Sequence, residues 1–318
     1  MFDMGSLLYS INVTVPVFAM MILGYALRRT HVINEEYITG SNRLTFRVLL
    51  PVMLFNSMRG SDFRRMFSLG FLLFCFSFLL LYPLTVWLIA SRFIKDRKKL
   101  GSFVQGAFRG NTAVIGVSVA QNIYGADLGP MPFMLAVAMF MYNTVSVLIL
   151  TCNGSTNTTP WEQVVRVCRE IAANRIIWGI LLGVGCSLAQ IQFPAAIDKI
   201  FTNIGGIASV VSLIAAGGGF SIESFRTDAK LIVAATIAKL LIMPAAALAL
   251  GYFFGYQGVT LFSVLIMSGV STATTSAVMA RELRCDENLA INILATTTLC
   301  VAVSLTMWVS ILYALHLL

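Results

Sequence analysis

The chain has 318 residues, of which 58% are hydrophobic and 11% charged, with a formal net charge of +8 and a mean hydropathy of +0.85. Soluble domains carry about 25% charged residues, so this chain has too few to cover a water-facing surface and a soluble fold is excluded. The apolar residues come in long runs without period-2 alternation, which excludes an outer-membrane barrel and predicts an all-α polytopic membrane protein.

Cutting the runs at charges and turn residues predicts ten transmembrane helices. The first, about 6–27, lacks a basic leader and a small-residue cleavage site, so it reads as a retained span. The second, about 37–58, carries Arg43 and Arg47, and the third, about 69–91, ends at the basic segment 92–99. The fourth, about 101–123, holds Arg109-Gly-Asn111, where the helix can break, and the fifth, about 129–151, follows the turn Gly125–Pro130 and holds Asn143. A linker over 152–173 follows, with a short amphipathic helix predicted over 160–173 between Pro160 and Asn174. Spans six and seven, about 174–191 and 197–221, are parted by Gln192-Phe-Pro194, and the eighth, about 229–254, contains Lys239 and Pro244. The ninth, about 258–280, carries the hydroxyl-rich stretch Ser268–Ser276, and the tenth covers about 287–316.

Charge orients this arrangement. One set of alternate loops holds fourteen basic residues and the opposite set four (Arg59, Arg64, Arg65 and Lys199). The positive-inside rule places the rich set in the cytoplasm and both termini outside. The +8 balance is therefore a topology signal and not a nucleic-acid signal, although the five basic residues between 92 and 99 suit an anionic lipid headgroup. Ten spans divide into five-helix repeats over 1–151 and 174–318, and an odd number of spans inverts the second repeat. An offset of 161 residues matches Gly24 with Gly185, Asn42 with Asn203, Pro83 with Pro244 and Asn111 with Thr272.

The fourteen acidic residues all fall at predicted span ends or in loops, leaving Arg43, Arg47, Arg109 and Lys239 as cations inside spans. Each costs about 2.5–3.5 kcal/mol in a bilayer, and no intramembrane carboxylate compensates. Arg109 lies ten positions past Lys99, about 15 Å of helix rise, near the midplane. Two readings stay open for Arg109 and Lys239: they attract a mobile anion, or they neutralise the carbonyl ends of broken helices. The hydroxyls of Ser271, Thr272, Thr274 and Thr275 similarly serve either an anion or their own helix carbonyls. Six scattered cysteines and two histidines, His31 and His316, offer no metal, redox or catalytic pattern, so no cofactor and no enzymatic activity is expected.

These residues resemble the auxin efflux carrier family, which includes plant members and bacterial malonate and malate carriers. The stretch Asn111–Gly125, the pair Asn42-Arg43 with Pro51 and Phe55, Lys239 with Pro244, and Val278–Leu283 are similar to its motifs in span order. The resemblance implies a fold like that of sodium/proton antiporters, with broken, crossing spans 4 and 9. It also implies a scaffold of spans 1, 2, 6 and 7, a moving domain of spans 3–5 and 8–10, and a homodimer in the plasma membrane. It further implies an elevator-type carrier for a small organic anion, a mono- or dicarboxylate, bound at Asn111 and Thr112 with Asn143 beside them. The residues around them complete the candidate site: Arg109, Gly110, Lys239, Ser271, Thr272, Thr274 and Thr275. The chain departs from plant members in three ways. Gly110, Ser271 and Ser276 replace the helix-breaking prolines, span 3 lacks the acidic residue over Phe71–Ser77, and the long plant loop shrinks to 152–173. The rival readings are a sodium- or proton-coupled exchanger, which wants an intramembrane acid, and a membrane ligand sensor, which wants an output domain.

Overall fold

The computed structural model describes residues 4–59, 68–125, 128–154, 165, 169, 172–173, 175–218, 228–273 and 275–318. The amphipathic helix predicted over 160–173 falls almost wholly outside the described residues, and so does Thr274. Among the described residues the secondary structure is helical: α1 (Met4–Arg29), α2 (Glu35–Leu44), α3 (Leu50–Arg59), α4 (Leu69–Ala90), α5 (Arg97–Phe108), α6 (Val117–Tyr124) and α7 (Met131–Asn153). After the linker come α8 (Arg175–Leu188), α9 (Ala195–Gly218), α10 (Ala229–Ile237), α11 (Met243–Phe253), α12 (Gly258–Gly269), α13 (Thr275–Glu282) and α14 (Glu287–Ala314).

Local chemistry sets several helix starts. Asn34, Ser68, Asp96 and Asp286 each accept a backbone N–H from the first turn of α2, α4, α5 and α14. Such a side-chain cap satisfies donors that have no partner within the helix. Proline accompanies two interior irregularities. π turns at Thr45–Leu49 and Ala238–Ile242 precede Pro51 and Pro244 and join α2 to α3 and α10 to α11. Pro244 has no N–H for the Leu240 carbonyl four residues back. That carbonyl instead accepts from Ser304 Oγ at 2.8 Å and Trp308 Nε1 at 2.9 Å on α14. Tyr82 of α4 donates to the Ala238 carbonyl at the start of the same π turn, at 2.6 Å.

Among the described residues five helices are long and apolar enough to cross a membrane: Leu69–Ala90, Met131–Asn153, Ala195–Ala215, Ala229–Phe253 and Glu287–Ala314; Arg175–Leu188 and Gly258–Gly269 are shorter apolar helices. The sequence predicts ten spans, and much of the difference falls where helices are divided. α2 and α3 meet at a π turn carrying Arg47, and α5 with α6, and α12 with α13, are pieces of 12 and 8 residues. Large apolar side chains such as Leu88, Phe253 and Val303 stand exposed, a surface that suits hydrocarbon and not water.

The helices pack in two groups. In the first, α1 lies on α9 and α3 lies on α8, with α2 against α9. In the second, α4, α5 and α7 pack together and α14 spans α5, α10 and α13. The groups meet where α1 touches α14 and α6, where α9 touches α6, and where α7 touches α8 and α3.

Candidate functional site: two paired helix breaks

Two helices end at one point. α5 stops at Phe108 and the backbone turns extended at Arg109 (φ −70°, ψ 119°). α12 stops at Gly269 and Val270 is extended (φ −83°, ψ 161°). Gly110 and Thr272 then form a two-residue antiparallel bridge. The Asn111 N–H donates to the Ser271 carbonyl at 2.7 Å, and the Ala273 N–H donates to the Arg109 carbonyl at 3.3 Å. Glycine at 110 permits this approach, because a Cβ there would lie 3.1 Å from both Tyr142 Oη and Val270 Cγ2. Thr272 is tied on two sides: its N–H donates to Thr297 Oγ1 of α14, and its hydroxyl donates to the Gly106 carbonyl of α5.

Beyond the bridge each chain becomes helical again, through a π turn at Thr112–Gly116 leading into α6, and at Thr275 into α13. The first N–H groups of a helix lack acceptors within it and carry the positive end of its dipole. Both second halves therefore start beside the bridge as anion-favouring termini. The first halves bring their carbonyl ends to the same place, and donors meet those of α12. The Lys239 ammonium, fully buried, donates to the Ser268 carbonyl at 2.7 Å, and the Tyr142 hydroxyl donates to the Met267 carbonyl.

Arg109 is buried and binds three ways. Its guanidinium donates to Asn143 Oδ1 at 2.9 Å, to Thr275 Oγ1 at 2.8 Å and to the Tyr142 carbonyl at 3.4 Å, with the Met279 sulfur also against it. It thus joins the break after α5 to α7 and to the start of α13. Asn111 and Thr112 are buried beside the bridge, and the Asn111 side-chain amide makes no hydrogen bond to another described residue. Ser271 and Ser276 hydroxyls and the Gln105 side-chain oxygen are also buried without a hydrogen-bond partner among the described residues.

The geometry brings together Arg109, Gly110, Asn111, Thr112, Asn143, Ser271, Thr272 and Thr275 of the sequence-derived set. Lys239 stands at the end of α12 and not at the bridge, and Thr274 lies outside the described residues. Arg43 and Arg47 are exposed. Sequence reasoning missed Gln105, Tyr142, Met279 and Thr297. Gln105, one helical turn before Arg109, is the one a periodicity argument could have found. Among the described residues no group of three His, Cys, Asp or Glu side chains could hold a metal ion.

Comparison with known proteins agrees with a transport architecture. An uncharacterized transporter from Methanothermobacter thermautotrophicus is 23% identical over 301 residues, which cover 94% of this chain and 97% of that protein. The profile of a family described as membrane transport protein matches residues 9–309. With a match over nearly its whole length, the chain belongs to this membrane transport protein family, that of the auxin efflux carriers, and is a multi-pass membrane protein.

Proposed function

We propose that the protein is a secondary carrier for a small organic anion, a mono- or dicarboxylate of the malonate or malate size, bound at the paired helix breaks. The observation that carries this reading is the bridge itself. Two helix N-termini and the Arg109 guanidinium converge there, and every acidic residue of the chain lies elsewhere in the sequence. In this reading Asn111, Thr112 and the Ser271 and Ser276 hydroxyls bond the carboxylate. Arg109 and Lys239 raise the local potential, and Asn143 and Thr275 are held in place by Arg109. α5–α6 and α12–α13 are the crossing spans 4 and 9 of a ten-span protein made of two inverted repeats, in the plasma membrane with both termini outside. The glycine-packed group containing α1, α3, α8 and α9 is the stationary scaffold of a homodimer, and the group around the bridge moves as an elevator.

The test is thermal unfolding of the purified chain with sodium salts of small carboxylates, against sodium chloride and choline chloride. A ligand at about 100 times its dissociation constant stabilises the fold by about 2.7 kcal/mol. The expected result is a carboxylate-specific rise in Tm that Asn111→Ala abolishes. A rise with sodium or with pH alone, and none with any carboxylate, would overturn the anion reading and favour an ion exchanger.

A further inference from the structure

A groove of about 300 Å³ opens at the seam between the two helix groups. Phe18, Met21, Ile22 and Tyr25 of α1 form one wall, and Leu299 and Ala302 of α14 form much of the other. The walls are almost wholly apolar, and Ile22 and Leu299 on its sides are exposed. Positions 18, 21, 22 and 25 follow one stripe of the helix, and the next positions on that stripe are 28 and 29. Both are arginines at the end of α1. Arg28 is paired with Glu35. Arg29 is exposed, donates from Nε to the Tyr25 hydroxyl at 2.9 Å and lies over that ring at 5.3 Å; among the described residues it has no carboxylate partner.

We propose that this groove seats one acyl chain of an anionic phospholipid whose headgroup Arg29 holds. The distance suits such a molecule: Phe18 to Arg29 is eleven residues, about 16 Å of helix rise, so the slot runs inward from a cationic rim over hydrocarbon depth. A small polar anion would find only the Tyr25 and Thr298 hydroxyls along these walls, because the charge stands only at the water-facing end. A neutral lipid would leave that charge unused. The groove is open sideways, on a face that already displays apolar side chains to the bilayer, so a lipid enters without any helix opening. This site is separate from the bridge and stands whether or not the anion reading does.

The experiment is native mass spectrometry of the full chain released from micelles containing equal phosphatidylglycerol and phosphatidylcholine. One phosphatidylglycerol is expected per chain, favoured about fivefold over phosphatidylcholine, the attraction of one cationic side chain near an anionic headgroup. Arg29→Glu, a surface change, should remove that preference. Ala302→Trp, or Ala302→Leu where the larger residue prevents folding, should reduce retention of both lipids by filling the slot. Excess inorganic phosphate should leave the bound lipid in place. Equal retention of the two lipids by the unaltered chain would overturn the site, as would an unchanged preference in Arg29→Glu. Displacement by inorganic phosphate, or retention of a second protein copy in place of lipid, would do the same.

Discussion

The two helix groups are held together by different means. In the first, glycines bring backbones into contact. A Cβ on Gly24 would fall 2.1 Å from the Ile214 carbonyl oxygen, and one on Gly217 would fall 1.9 Å from that of Met21. Gly179 and Gly183 of α8 sit in the same way against the Pro51 and Phe55 carbonyls of α3. In the second group the contacts around the breaks are hydrogen bonds from Arg109, Lys239, Tyr142 and Thr272 to carbonyls and side-chain oxygens. Small-residue packing works without polar partners in a bilayer, whereas interrupted helices free backbone groups that must be bonded. The protein thus gathers the donors that bond freed carbonyls in one body and packs the helices of the other chiefly through glycine, with the Arg59–Asp198 ion pair joining α3 to α9.

The largest effect should come from breaking the shape-built body. Gly24→Ala and Gly217→Ala place a methyl group on backbone atoms that no rotamer change can move aside. Each should cost about 3 kcal/mol or more, the upper end of overpacking penalties, read as loss of folded protein or a large fall in Tm. Gly106→Ala in the polar body is the control. Its new methyl meets the buried Ile293 side chain, with Cγ2 at 2.7 Å, and no backbone atom, and should cost about 1–2 kcal/mol. Equal losses at Gly106 and Gly24 would erase the contrast between the two bodies.

The polar body is broken by removing its donors. Arg109→Lys replaces a planar fork with one ammonium, which cannot hold Asn143, Thr275 and the Tyr142 carbonyl together. A loss of about 1.5–3 kcal/mol is expected, together with loss of the carboxylate-dependent rise in Tm. Lys239→Met leaves the Ser268 carbonyl buried without that donor and should cost about 1–3 kcal/mol. Because the ammonium is bonded at the end of α12 and not at the bridge, this variant should keep a carboxylate-dependent shift at higher ligand concentration. Calorimetry of the two variants with and without carboxylate separates an arginine that organises the site from a lysine that satisfies a helix end.

Much of this division was legible in the sequence, and the remainder was not for definite reasons. Cations without acidic partners singled out Arg109 and Lys239. The stretches Phe108–Ser118 and Ser268–Ser276, read as breakable from their glycine and hydroxyl content, contain the points where α5 and α12 give way to the bridge. Tyr142, Met279 and Thr297 were not legible, because they act through contacts 25 to 170 positions distant in the chain. The offset that pairs Gly24 with Gly185 does not carry their surroundings with it: Gly24 is pressed against Ile214, while a Cβ on Gly185 meets nothing within 4 Å. The π turn before Pro51 was likewise hidden, since proline reveals a missing N–H but not how the helix absorbs it.

The smallest effect should come from the margin of the polar body, at the Lys99–Asp228 pair. Lys99, in the first turn of α5, donates to both oxygens of Asp228, at 2.7 and 2.9 Å, and so ties α5 to the start of α10. That hydrogen bond, with the attraction of Asp228 and more weakly of Asp286 and Asp96, outweighs the opposing effect of burial and holds the Lys99 ammonium pKa above its ordinary value. A raised lysine pKa means that the folded state keeps its proton where the unfolded state loses it. The pair's stabilisation is therefore fully present at neutral pH, begins to fall near the ordinary lysine value and is gone above the raised one. Both side chains are partly exposed, so the pair contributes at most about 1 kcal/mol. Thermal unfolding of the unaltered chain and of Lys99→Met should differ by a constant small amount around neutrality and begin to converge only above about pH 10.5. A difference that persists undiminished in alkali would mean that Lys99 acts through its methylene packing, so that the polar body too is sealed at its edge by shape and not by charge.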